Sequence, residues 1–271
     1  MRGALMRHWP EYLMEAAGLA AFMISACLFA TILEHPGSAV RRAIADPFLR
    51  RMLMGLAMGM TAVTVIYSPW GKQSGAHLNP SVTLTFLRLG KVAPWDALFY
   101  VLAQFVGGIA GVVVATMVLG GRLGDPSVNY VATVPGPSGP GLAFLAELTI
   151  SFGLVSVVLI VSNTAGLARF TGLFAGVLVA TYIMLEAPIS GMSMNPARTF
   201  GSALSGQVWT ALWIYLTAPL LGMLLAASLY DGLWGTQGVI CAKLHHHNHK
   251  RCIFRCGYPA SKGLPRAGST P

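Results

Sequence analysis

A chain of 271 residues that is 55% hydrophobic and 10% charged, with a mean hydropathy of +0.64, cannot bury its apolar surface in one water-soluble core and belongs in a bilayer. The net charge of +9 does not indicate nucleic acid as a partner, because Lys243, Lys250, Arg251, Arg255, Lys262 and Arg266 gather after the last apolar run and mark membrane topology instead. Cys27 lies in an apolar stretch and Cys241, Cys252 and Cys256 in or near the basic tail, so no framework of paired extracellular cysteines is visible.

Apolar segments long enough to cross a bilayer core of about 30 Å occur near 12–33, 49–69, 95–119, 141–163, 170–187 and 208–230, which predicts six spans. Arg2 and Arg7 before the first run resemble a signal peptide, and Ile24-Ser25-Ala26-Cys27 resembles a lipoprotein processing site. Apolar sequence nevertheless continues past Cys27 to Leu33, and Glu15 interrupts it, so the segment is read as an uncleaved span. Pro94 and Trp95 open the third span, and Pro126, Pro135, Pro137 and Pro140 mark a long loop before the fourth.

Asn-Pro occurs twice between spans, as His77-Leu78-Asn79-Pro80-Ser81 and Ser193-Met194-Asn195-Pro196-Ala197-Arg198. Asn is a favoured N-cap and Pro a favoured first helical residue, so each pair starts a helix. The helices that follow, Asn79–Leu89 and Asn195–Leu204, reach only roughly 16 Å, about half the hydrocarbon thickness, and read as re-entrant. The polar break at Gly71–His77 is tolerable at membrane depth only if it is buried in protein or lines a wet cavity.

The two halves, about 11–121 and 141–232, repeat each other. Glu15 matches Glu147, Asn79-Pro80 matches Asn195-Pro196, Tyr100-x3-Gln104-x2-Gly107 matches Tyr215-x3-Pro219-x2-Gly222, and Gly55-x3-Gly59 matches Gly172-x3-Gly176. Three spans per half place the second half upside down relative to the first, giving one membrane domain over 1–232. With both termini cytoplasmic, Arg2, Arg7, Lys72, Arg88, Lys91, Arg169 and the six tail cations lie inside, against Arg41, Arg42, Arg50, Arg51 and Arg122 outside. In such an arrangement two half-helix N-termini, each carrying about half a positive charge, meet near the midplane and exclude cations. Asn79 and Asn195 would present N–H donors to the lumen, and the carbonyls of Gly75, Ala76, His77, Ser190, Gly191 and Met192 a ladder of acceptors.

Ser74-Gly75-Ala76-His77-Leu78-Asn79-Pro80, Met194-Asn195-Pro196-Ala197-Arg198-Thr199-Phe200-Gly201 and the paired glutamates resemble the aquaporin/aquaglyceroporin (major intrinsic protein) family over roughly residues 11–232. The resemblance implies an all-α membrane fold of six tilted helices plus two re-entrant half-helices, one pore per chain, a homotetramer in a plasma or bacterial inner membrane, and no cofactor. It places the selectivity constriction at Arg198, Met192, Ile183 and either Met58 or Gly59. Water-selective members carry a bulky aromatic and a His there, which this chain lacks, so a Met/Ile-lined opening leaves room for glycerol, ammonia, hydrogen peroxide or uncharged metalloid acids. Thr199, Ala203 and Tyr215 fit the water type instead, while Leu216 departs from it. Ser81 stands where the first motif normally has Ala, and its hydroxyl is expected to bond locally to the half-helix backbone.

Glu15 and Glu147 are expected to support the two loops by accepting their backbone N–H groups, a role the resemblance also implies, with proton relay as the alternative. His77 is read as a member of a loop network rather than a pH gate. The run Met52, Met54, Met58 and Met60 reads as helix packing. In the tail, 233–271, His245, His246, His247 and His249 with Cys252 and Cys256 are plausible soft-metal ligands. Their spacing is not that of an ordinary zinc finger, so the tail is expected to be disordered and basic, with metal binding as the other reading. No phosphate loop, nucleophile elbow or catalytic carboxylate pair is present, which argues against an enzyme. An ion-coupled transporter would need an acidic site at the breaks, where this chain has Asn, His and Arg. A membrane-junction protein with a closed pore is the remaining alternative.

Overall fold

The computed structural model describes residues 1–258, and the Gly-, Pro- and Ser-rich stretch at the end of the expected tail lies outside the described residues. The helices are α1 (Arg2–Glu34), α2 (Ala39–Ala43), α3 (Pro47–Tyr67), α4 (Pro69–Ser74), α5 (Pro80–Arg88), α6 (Pro94–Leu119), α7 (Gly139–Ser162), α8 (Thr171–Ser190), α9 (Pro196–Gly206) and α10 (Leu212–Trp234). Six of them, α1, α3, α6, α7, α8 and α10, are long and apolar enough to cross a membrane, as expected, and there is no strand among the described residues.

The packing repeats the sequence symmetry. α1 packs on α6 as α7 packs on α10, α9 lies against α6 as α5 lies against α10, and α3 meets α8. At that last contact a Cβ on Gly59 would stand 2.6 Å from the carbonyl oxygen of Gly176, and one on Gly55 would stand 2.5 Å from that of Ala180. Only hydrogen at those positions lets the two backbones approach this closely. The outer faces keep large apolar side chains exposed, including Val106, Met117, Leu145, Val177 and Leu225, which is the surface a lipid-facing helix presents.

Two stretches differ from the sequence expectation. The polar break at residues 71–77 contains the short helix α4, capped by the Ser68 hydroxyl on Gly71 N, before Gly75 turns the chain in left-handed backbone. The cations at 41–51, an exception to the positive-inside pattern, are locally satisfied. Buried Arg50 pairs with Glu34 at 3.1 Å and donates to the carbonyls of Ile44 and Ala45, and Arg51 donates to Met184 O.

Candidate functional site

Each half-helix starts as its sequence dictates. Asn79 and Asn195 sit in extended backbone before Pro80 and Pro196. The Asn79 Oδ1 accepts Ser81 N at 2.9 Å, and the Asn195 Oδ1 accepts Ala197 N at 3.1 Å and Arg198 N at 3.2 Å. Each cap stabilises its helix start by about 1 kcal/mol. The amide nitrogens then cross between the halves: Asn79 Nδ2 donates to Met194 O at 2.6 Å, and Asn195 Nδ2 donates to Leu78 O at 2.7 Å. A carboxamide has two N–H groups, so one is used to clamp the half-helix tips together and one remains for the cavity that both residues line.

The approach loops are bonded to the two glutamates. Glu15 accepts from the Ser74 hydroxyl, His77 N, Leu78 N and Gln104 Nε2 at 2.6–3.1 Å. Glu147 accepts from the Ser190 hydroxyl, Ser193 N and Met194 N, all at 2.7 Å. Both carboxylates are fully buried. The loops they hold carry the same backbone twist, with Gly75 and Gly191 at positive φ, then Ala76 and Leu78 matched by Met192 and Met194. Non-glycine residues in that region cost about 1–3 kcal/mol each, so the bonds to Glu15 and Glu147 keep strained segments in place.

One cavity of about 450 Å³ runs past these tips, lined at one end by Arg50 and Arg51 and at the other by His77, Phe86 and Leu244. Arg198, Met192 and Ile183 line it, and the buried Nη1 of Arg198 has no protein partner. Of the two alternatives on α3, Met58 lines the cavity and Gly59 does not, because Gly59 is the contact with α8. The Met52–Met60 run is therefore split, with Met54 and Met58 facing the lumen. Phe22 of α1 also lines the cavity and was missed, because nothing in an apolar helix marks which face turns inward.

The expected carbonyl ladder is shorter than six. Ala76, His77, Gly191 and Met192 line the cavity, but Gly75 and Ser190 do not. Ser190 O accepts the Tyr215 hydroxyl, as Ser74 O accepts that of Tyr100, and Gly75 O accepts Leu244 N. Ser81 also departs from expectation. Its buried hydroxyl has no protein partner, while its backbone N–H donates to the Asn79 cap. The proline-marked loop dips into the opposite mouth, where Thr133 and Thr199 share a hydroxyl hydrogen bond and Gly136 N donates to Ile189 O.

The tail, expected to be disordered, is packed from Val239 to Tyr258 across the end of the pore where α1 begins, with Val239, Ala242, Leu244, Ile253 and Phe254 buried. Arg251 grips the buried Glu11 through two nitrogens at 2.6 and 3.0 Å, and Ile240 N donates to Asn163 Oδ1. Lys243 Nζ donates to the carbonyls of Lys72, Lys250 and Arg251, while burial pushes its ammonium below the ordinary lysine range. His77, expected in a loop network, bonds Thr83 and Ala242 O through its ring nitrogens, and its ring lies between Phe86 and Phe254 at 5.3 and 5.2 Å. Of the tail ligands, His246, Cys252 and Cys256 come together with Cys241, which the expected set lacked. His245 instead packs on Tyr67, and His247 and His249 are exposed.

Six membrane-length helices and two half-helices clamped tip to tip at a lined cavity define an integral membrane protein of the pore-forming, inverted-repeat kind. The family model described as Major intrinsic protein matches residues 6–230, and the chain belongs to that family. It is 36% identical over 171 residues to aquaporin NIP6-1 of Arabidopsis thaliana, an alignment covering 62% of this chain and 54% of that protein. It is also 36% identical over 185 residues to glycerol uptake facilitator protein-like 6 of Lactiplantibacillus plantarum, covering 65% and 82%. The chain thus spans only about half the length of the Arabidopsis relative. Among solved structures, the aquaglyceroporin from Plasmodium falciparum superposes with a TM-score of 0.69 at 22% identity, covering 85% of this chain and 98% of that one, a likeness of fold.

Proposed function

We propose that the chain is a passive channel for water and other small uncharged solutes. The observation that carries this reading is the pair of reciprocal amide clamps, Asn79 to Met194 O and Asn195 to Leu78 O, which set two positive helix ends and two spare N–H donors against one cavity. A water at that point turns its oxygen to the donors and its hydrogens along the pore, which breaks proton hopping, while the helix ends and Arg198 repel cations. The acceptors Ala76, His77, Gly191 and Met192 replace hydration on either side.

A second reading, a facilitator for glycerol or uncharged metalloid acids, is supported by the apolar part of the cavity lining. Phe22, Met54, Met58, Ile183 and Met192 form an apolar surface that suits a solute with carbon on one side and hydroxyls on the other. The named relatives include both an aquaporin and a glycerol uptake facilitator. The family resemblance further supports a homotetramer with both termini in the cytoplasm of a plasma or bacterial inner membrane, and the cation count supports that orientation.

Stopped-flow light scattering on proteoliposomes tests both readings, comparing shrinkage under an impermeant osmolyte with re-swelling under glycerol. Because the tail lies on one mouth, the full chain and a chain ending at Gly238 are both measured. Water and glycerol flux no faster than in empty liposomes for both chains would sink the channel reading, and flux that follows an ion gradient would favour a coupled transporter. Fast re-swelling in glycerol selects the second reading.

A further inference from the structure

Four soft-metal ligand atoms converge in the tail. Cys241 Sγ, His246 Nε2, Cys252 Sγ and Cys256 Sγ lie within 4.8 Å of one another, with 3.6 Å between the sulfurs of Cys241 and Cys252 and 3.0 Å between Cys256 Sγ and His246 Nε2. A tetrahedral Zn2+ with Zn–S of about 2.3 Å and Zn–N of about 2.0 Å needs S–S separations of about 3.8 Å and S–N separations of about 3.5 Å, so the Cys241–Cys252 pair at 3.6 Å is near that spacing and the other atoms, within 4.8 Å of one another, need shifts of an ångström or so to close on the ion. Three thiols and an imidazole are also a ligand set suited to a closed structural zinc site. A disulfide would use only two of the four groups and leave the other thiol and His246 without a purpose at the same point.

The segment also needs such a staple. Beyond the single turn at Thr236–Gly238 it has no helix or strand among the described residues, yet it buries Val239, Ala242, Leu244, Ile253 and Phe254. Short irregular segments seldom hold a fixed shape by apolar burial alone, and metal binding supplies folding free energy directly. The position of the ligands adds a consequence. Cys241 and His246 bracket Ala242–Leu244, whose backbone bonds His77 and Gly75, and Cys252 and Cys256 bracket Phe254, which stacks on the His77 ring. Under this cover His77 is only 4% exposed, and Leu244 forms part of the cavity wall.

We propose that Cys241, His246, Cys252 and Cys256 bind one Zn2+, and that this clip holds Ala242–Leu244 and Phe254 on the pore mouth so that metal occupancy sets whether the pathway is open. The gating half rests on the channel reading; the metal site does not.

The full chain, purified under reducing conditions from zinc-supplemented cells, is expected to carry about one zinc per chain. Replacement with Co2+ should give the visible bands of a tetrahedral thiolate site, and Cys252→Ser/Cys256→Ser should abolish both signals. A chain that binds neither metal, or that holds a Cys241–Cys252 disulfide under these conditions, overturns the site. In proteoliposomes, chelation should raise solute flux several-fold toward that of the chain ending at Gly238, and Zn2+ should reverse the rise. Trypsin should cut at Lys250 and Arg251 several-fold faster without zinc, a readout independent of transport. Unchanged flux and unchanged cleavage on zinc removal, while the shortened chain conducts, overturn the clip. A full chain that conducts as fast with zinc as without it overturns the gating half and leaves the channel reading standing, whereas no flux from either chain sinks the channel reading while metal content still judges the site.

Discussion

The two mouths of the pore share a backbone and differ in almost every side chain that faces the lumen. Glu15 and Glu147 bind the same positions of their loops, Ser74 with Ser190, His77 N with Ser193 N and Leu78 N with Met194 N, and Tyr100 and Tyr215 bond the same carbonyl at each loop. Yet among the cavity-lining positions Ala76 corresponds to Met192, His77 to Ser193 and Val82 to Arg198. Irregular backbone at membrane depth must have its N–H groups satisfied by protein, which holds the scaffold constant. Lumen side chains escape that demand and are free to diverge, so one mouth carries a cation and the other a ring stacked under the tail.

If the scaffold is truly shared, the largest effects come from its two carboxylates. Glu15→Ala and Glu147→Ala each strand at least two buried backbone donors, at about 1–3 kcal/mol per donor, and should each lower stability by about 3 kcal/mol or more, read as thermal unfolding in detergent. A tolerated Glu147→Ala beside a crippling Glu15→Ala would show that the halves are held differently.

Next comes the contact between the halves. Gly59→Ala places a carbon against Gly176 O and should cost about 1–3 kcal/mol, while the neighbouring Met58→Ala should mainly raise glycerol flux. Equal stability losses with no change in flux would put Met58 in the packing rather than the lumen.

The difference between the mouths is sharpened by Arg198→Ala, expected to raise glycerol and cation leak several-fold while leaving water flux little changed. Abolished water flux in correctly folded protein would remove Arg198 from the constriction. The smallest effect belongs to Ser81→Ala, which deletes an unpartnered buried hydroxyl and should leave stability within about 0.5 kcal/mol of the parent, on the stabilising side if at all. A clear loss would mean that this hydroxyl has a partner.

Much of the architecture was legible because it obeys local rules. Asn79-Pro80 and Asn195-Pro196 announce helix starts from capping chemistry, the six spans follow from length and hydropathy, and the odd number of spans per half dictates inversion. Glu15 and Glu147 stood out because a carboxylate inside an apolar run needs donors. The lumen wall was only partly readable: Met58 and Gly59 are adjacent in sequence, and helix rotation alone puts one in the pore and the other against α8.

The tail was misread as disordered because its composition is basic and irregular, and composition does not register that Arg251 meets Glu11 or that Cys241 joins three ligands spaced along the following residues. By itself, then, the sequence determined where helices begin, how many cross the bilayer and which charged groups must be satisfied, since each depends on near neighbours. Only the tertiary structure decided which side chains line the cavity, that each Asn amide clamps the opposite half, and that the tail covers one mouth. Those contacts join residues 115 to 240 positions apart, and no local pattern carries a pairing over such a distance.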